Sequence, residues 1–124
     1  MCQCAHMRIN ATVTSKPQRT LAQARDIGKA LSDMNRLRIL GALNGRELCV
    51  CHLVEMLEVD ASNVSRHVSL LRRAGLIAVR KEGRWLHCTR AEQGAALWPC
   101  VDELLDGVPE LERDRKVIDG LCGC

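Results

Sequence analysis

Within residues 49–90 the apolar pattern changes period in quick succession, and few folds accommodate that. Leu53, Val54 and Leu57 fall at helical spacing; Val59-Asp60-Ala61 interrupts them; Val64, Val68, Leu70 and Leu71 then resume the spacing as far as Gly75. Asp60 or Ser62 supplies the N-cap of the later helix, and Gly75 supplies its stop. Two extended runs follow, residues 76–80 and 84–89, with Lys81-Glu82-Gly83 between them. They predict a β-hairpin with glycine in its turn. Two short helices joined by a tight turn and followed at once by a basic hairpin describe a winged helix-turn-helix.

The flanking segments add helices. Leu21, Ala24, Ile27 and Leu31 predict a first helix to about Ala30. Asp33 is placed to cap a second, with Leu37, Leu40 and Leu43 inward and Asn44-Gly45 as its stop. A third helix, the first of the helix-turn-helix, begins near Cys49. Beyond the hairpin, Leu97, Val101, Leu104, Leu105 and Val108 mark another helical stripe, which Pro99 either starts or kinks. A last short helix runs from Pro109 to Ile118. The fold class is mainly α with one β-hairpin. Residues 1–20 are polar and non-periodic and read as a mobile N-terminal arm; residues 21–108 form the winged domain; residues 109–124 add a short helix and a flexible Cys-Gly-Cys tail.

Composition narrows the function. With 124 residues and 47% hydrophobic content, one domain builds a packed core without staples. Phe and Tyr are absent and there are two Trp, so the core is aliphatic and single-strand binding on aromatic platforms is excluded. No apolar run approaches the ~20 residues of a membrane span. The N-terminus lacks the basic head and apolar stretch of a secretory signal, so a cytoplasmic location is expected. No phosphate-cradling glycine loop, His-Glu-x-x-His or nucleophile elbow is present, which argues against an enzyme.

Six of the eight cysteines form three Cys-x-Cys pairs: Cys2/Cys4, Cys49/Cys51 and Cys122/Cys124. A disulfide within Cys-x-Cys closes a tight, strained ring. In a reducing compartment clustered thiols bind metal or sense redox state. Thiolates select soft ions, namely zinc, cadmium, lead, copper(I) and trivalent arsenic. Cys88 and Cys100 stand alone and read as small buried hydrophobes.

The charges are separated along the chain. Residues 61–90 carry seven basic groups and one acid, whereas residues 91–114 carry seven acids and one base. The basic third is placed to face phosphates, or else to be neutralised by the acidic segment.

Glu47-Leu48-Cys49-Val50-Cys51-His52-Leu53 resembles the E-L-C-V-C-D-L signature of the ArsR/SmtB metalloregulatory repressors. Three further stretches support the resemblance in the right order: Leu31–Leu40, Ser62–Val68 with Leu70–Ile77, and Arg80–His87. The resemblance implies a homodimeric winged-helix repressor that a toxic metal or metalloid ion releases from DNA. The Arg84-Trp85 pattern of the wing is most similar to the branch responsive to arsenite and antimonite, making As(III) or Sb(III) the implied inducer. Two departures stand out. His52 replaces the Asp of the arsenic signature, and Val54 stands where some arsenic repressors carry a third cysteine. Cys2 and Cys4 resemble instead the members that sense cadmium or lead, where arm cysteines join the Cys-Val-Cys pair, so Cd(II), Pb(II) or Zn(II) is the alternative. The metal-ligand candidates are therefore Cys49 and Cys51, with Cys2 and Cys4 from the arm.

For DNA, the start of the fourth helix enters the major groove. Ser62, Asn63, Ser65, Arg66 and His67 are its candidate contacts, with the alternative that His67 is a packed, hydrogen-bonded histidine. Lys81 and Arg84 of the wing are placed for the backbone or minor groove. A single module reads few base pairs, so a two-fold dimer on an inverted repeat of double-stranded operator DNA is expected. Its surface is the first helix and residues 97–108. Cys49 and Cys51 at i and i+2 do not face each other in a regular helix. One ion held by both is therefore expected to oppose helix at that point and misplace the recognition helix. A thiol redox switch on the same scaffold and a structural zinc module are the rival readings.

Overall fold

A computed structural model describes residues 18–121. The arm residues Cys2 and Cys4 and the tail residues Cys122 and Cys124 lie outside them. Helices α1 (Leu21–Ala30) and α2 (Met34–Ala42) lead into a two-residue strand β1 (Leu48–Cys49) and helices α3 (Val50–Leu57) and α4 (Ala61–Arg73). Strands β2 (Ile77–Glu82) and β3 (Trp85–Arg90) form the wing, and α5 (Trp98–Leu105) and α6 (Pro109–Asp119) complete the order. No described helix is long and apolar enough to cross a membrane.

Local chemistry accounts for the boundaries. Thr20 and Gln23 make a reciprocal capping box at the start of α1. Asp33 accepts from the Arg36 backbone N–H at 3.1 Å to start α2. Asp60, rather than Ser62, caps α4 by accepting from the Asn63 N–H at 2.9 Å, and Ser62 donates to the same carboxylate. The turn between α3 and α4 is Glu58-Val59-Asp60, entered through a left-handed Glu58 (φ 58°) whose N–H donates to the Val54 carbonyl. Pro99 stands in the first turn of α5, so it starts that helix and does not kink it.

The hairpin differs by one residue from the sequence expectation. Glu82 pairs with Trp85, so the first strand is one residue longer, the second is shifted by one, and the loop is Gly83-Arg84. Gly83 at φ 63° supplies the positive dihedral of the first loop residue. The sheet also gains β1, absent from the sequence reading, giving an antiparallel order β1-β3-β2 with Leu48 opposite Cys88 and Cys49 opposite His87.

The core is aliphatic, built on Ile39, Leu40, Leu43, Leu53, Val64, Leu71 and Leu76. Helix α6 packs on α2 and α3, burying Ile118 and Asp114, so the last helix belongs to the packing unit that the sequence reading closed at residue 108. Asp114 accepts from Arg38 Nε at 2.9 Å and Nη2 at 2.8 Å, and Arg38 Nη2 also donates to the Met56 carbonyl at 3.1 Å. That hydrogen bond to Asp114 holds the Arg38 guanidinium pKa above its ordinary value.

Candidate inducer site and nucleic-acid interface

Cys49 does two jobs. It is the second residue of β1 and also the N-cap of α3, with extended dihedrals (φ −75°, ψ 151°). Its Sγ accepts from the Cys51 backbone N–H at 3.3 Å. Its own N–H donates to Nδ1 of His52 at 3.3 Å, the reach-back of a capping box. A histidine can therefore fill the capping place of the signature's Asp, because Nδ1 offers the acceptor that the turn requires.

The cap geometry settles how the two thiols relate. Cys49 lies outside the helix and Cys51 within its first turn, so their sulfurs converge to 2.7 Å. The premise that both cysteines lie in regular helix is corrected: Cys49 is the extended N-cap, so the two thiols share a side without any break in α3. Cys49 is buried and Cys51 half-buried. Among the described residues no group of three or more His, Cys, Asp and Glu converges to hold a metal. A soft ion bound by this pair needs a further ligand from elsewhere.

The lone cysteines separate. Cys100 is exposed on α5, against expectation. Cys88 is fully buried on β3, and burial, with Cys49 and Glu47 adding, pushes its thiol from 9.0 up to about 11. A protonated, buried thiol is a poor ligand. A folded pKa above the unfolded one means that the unfolded chain releases its proton first as pH rises. The contribution of Cys88 to stability is then complete below about pH 9 and is lost through about pH 11. Denaturant melts at pH 8, 10 and 11 are expected to show this loss, and Cys88→Val is expected to flatten it. In addition, native protein at pH 8 should leave Cys88 unalkylated by iodoacetamide.

The recognition helix α4 buries Val64, Val68 and Leu71 and exposes Ser62, Ser65 and Arg66. Asn63 is half-buried and accepts from Arg66 Nη1 at 3.2 Å. The His67 side chain is only 15% exposed, with Nδ1 3.1 Å from Arg36 Nη1 and 3.9 Å from Asp33. At the wing tip Lys81 and Arg84 are exposed, and the Arg84 guanidinium lies 5.2 Å from the Trp85 ring centroid. Two basic residues of the positive segment serve the fold. Arg90 pairs with Asp102 at 2.7 Å, donates to the Leu40 carbonyl and stacks on Trp98. Arg80 is held by Glu47 at 2.8 Å and by Glu82, and the Glu47 carboxyl is lowered in turn by Arg80. Glu47 immediately precedes β1, so this ion pair joins the cysteine strand to the wing across β3. Nothing in the spacing of Glu47 and Arg80 announces that partnership, which exists only once the three strands pair.

The profile of the bacterial regulatory protein arsR family matches residues 33–79. The chain is 38% identical over 95 residues to the arsenic resistance transcriptional regulator ArsR1 of Pseudomonas putida, covering 75% of this chain and 71% of that one. It is 35% identical over 60 residues to the cadmium resistance transcriptional regulatory protein CadC of Listeria innocua, covering 48% and 50% respectively. Among solved structures, HlyU from Vibrio cholerae superposes with a TM-score of 0.61 at 32% identity, over 71% of this chain and 97% of that one. A winged helix-turn-helix with a polar recognition helix, matched at this level across most of a known regulator's length, leaves one conclusion: the chain belongs to the ArsR family and is a DNA-binding transcriptional regulator, not an enzyme.

Proposed function

We propose that the protein is a homodimeric repressor of an inverted-repeat operator, working in the cytoplasm, and that it leaves DNA when arsenite or antimonite binds the thiolates of Cys49 and Cys51. The observation that carries this reading is the convergence of those two sulfurs to 2.7 Å at the cap of α3. Trivalent arsenic takes soft thiolates in small number. Arsenous acid exchanges its hydroxyls for thiols, each new As–S bond releasing one water that carries the thiol proton. Cys2 or Cys4 supplies the remaining sulfur.

Release follows from where Cys49 sits. The same residue pairs with His87 of the wing and caps the helix packed on α4. Bonded to arsenic, its sulfur is a weaker acceptor for the Cys51 N–H, and the arm's ligand adds a pull on both DNA-reading elements. An effector shifts an equilibrium only by binding its two states differently, and these contacts supply the difference. Leu21 (88% exposed) and Leu104 (75% exposed) on α1 and α5 support the dimer surface.

Ser62, Asn63, Ser65 and Arg66 face the major groove, and Lys81 and Arg84 meet the backbone beside it. Lys81→Ala and Arg84→Ala are each expected to reduce the slope of log affinity against log salt by about 1, with little change in sequence preference. Fluorescence anisotropy across a salt series reads this directly.

Anisotropy of the reduced protein on its own promoter DNA, titrated separately with arsenite, antimonite, cadmium, lead and zinc, tests the inducer. Release by the trivalent ions alone is expected. Release by cadmium or lead alone moves the assignment to the divalent reading, which the similarity to a cadmium resistance regulator supports. No release by any ion contradicts both.

A further inference from the structure

Arg36 makes contacts that DNA binding and inducer binding leave unexplained. Its Nε donates to the Ala30 carbonyl at 2.9 Å and its Nη2 to the Lys29 carbonyl at 3.1 Å. Both carbonyls belong to the last turn of α1, where helix C-termini leave acceptors unsatisfied. Its remaining arm, Nη1, lies 3.1 Å from Nδ1 of His67 on the recognition helix. One guanidinium thus joins the end of α1 to the DNA-reading helix.

The chemistry of that last contact fixes a proton. A guanidinium has five N–H donors, no acceptor, and stays charged at any working pH. Facing it, Nδ1 must offer its lone pair. A neutral imidazole carries its one proton on the other nitrogen, so the ring is the Nε2–H tautomer. Asp33 would favour a proton on Nδ1, but it lies 3.9 Å away and already accepts from the Arg36 backbone N–H. Among the described residues Nε2 has no hydrogen-bond partner, and no buried side-chain nitrogen or oxygen is left without one, so Nε2 reaches solvent.

We propose that Arg36 is a positioning residue of the DNA reader: by donating to Nδ1 it locks His67 as the Nε2–H tautomer and presents a fixed hydrogen-bond donor at the edge of the recognition helix. The DNA group that it meets is an acceptor, a phosphate oxygen or a purine N7 or O6. The inference rests on α4 being the DNA-reading helix.

Long-range proton–nitrogen correlation spectra of the imidazoles in DNA-free wild-type protein at pH 8 decide the tautomer without any variant. A single Nε2–H form for His67 is expected, giving way to a mixture in Arg36→Met. On operator DNA, His67→Leu is expected to weaken binding about tenfold, the scale of one hydrogen bond to a charged group, and Arg36→Met about two- to threefold, because the donor persists in part of the tautomer mixture. The double variant should lose no more than His67→Leu alone, since Arg36 acts only through the imidazole. Arg36→Met should also leave the salt slope unchanged, whereas loss of a phosphate-neutralising arginine would lower it by about 1. His67→Gln offers Arg36 an amide oxygen and DNA an amide N–H, and is expected to stay within about threefold of wild type. An Nδ1–H form in wild type overturns the proposal. So does unchanged affinity in Arg36→Met and His67→Leu while Ser65→Ala and Lys81→Ala lose theirs. If all four leave affinity unchanged, the assignment of the DNA face fails, and this inference with it.

Discussion

Cys51→Ser protein is expected to bind operator DNA within about twofold of wild type and to stay bound at arsenite concentrations that strip wild type from it. Couplings between an effector and a ligand typically change affinity about 5–150-fold, and that factor should fall to about one in the variant. The reason lies in the cap. Cys51 contributes its backbone N–H to the start of α3 and its sulfur to the pair, so replacing the sulfur leaves the N–H bond to Cys49 in place. Cys49→Ser should behave similarly, because a serine hydroxyl is a preferred N-cap acceptor. Anisotropy of both variants with and without arsenite checks this. Loss of DNA binding in the ion-free variants would instead mark the cysteines as structural.

Removing Asp114 should cause the largest loss of stability. Its carboxylate is 3% exposed and receives both arms of the Arg38 fork, which also reaches the Met56 carbonyl at the end of α3. Asp114→Leu leaves the largely buried Arg38 cation without its carboxylate, held only by the Met56 carbonyl and Asn35. Breaking a buried pair on one side costs about 3–5 kcal/mol. For a domain of this length that lowers the Tm by roughly 10–20 °C. Replacing both partners, Arg38→Met with Asp114→Leu, should recover most of the loss, because the desolvation of the orphaned charge disappears. Thermal unfolding of the three variants separates a genuine pair from two independent contributions.

Much of this was legible in the residues. The helical stripes, the Asp33 and Asp60 caps and the glycine-turned wing follow from local rules, since each depends on neighbours in sequence. The converging thiols were legible in identity but not in geometry. Cys-x-Cys reads as opposed faces only if both residues are helical, and β1 makes Cys49 extended. A two-residue strand has no periodicity to betray it; it exists because β3 offers it an edge. The ion pairs Glu47–Arg80, Arg90–Asp102 and Arg38–Asp114 were hidden for a related reason. Each joins distant segments, so a basic stretch that reads as a phosphate-binding surface proves to be partly internal. His67 shows the same limit: its type and position fit a DNA contact, while its link to Arg36 appears only when α2 is packed beside α4.

On the proposed mechanism, a trivalent arsenic centre forms on Cys49 and Cys51. Arsenic K-edge X-ray absorption of reduced protein loaded with one equivalent of arsenite tests it most directly. Sulfur alone in the first coordination sphere is predicted, with oxygen replacing sulfur in the Cys49→Ser/Cys51→Ser double variant and one sulfur lost when Cys2 and Cys4 are both serine. Oxygen neighbours in wild type, or a double-variant spectrum identical to wild type, would contradict it.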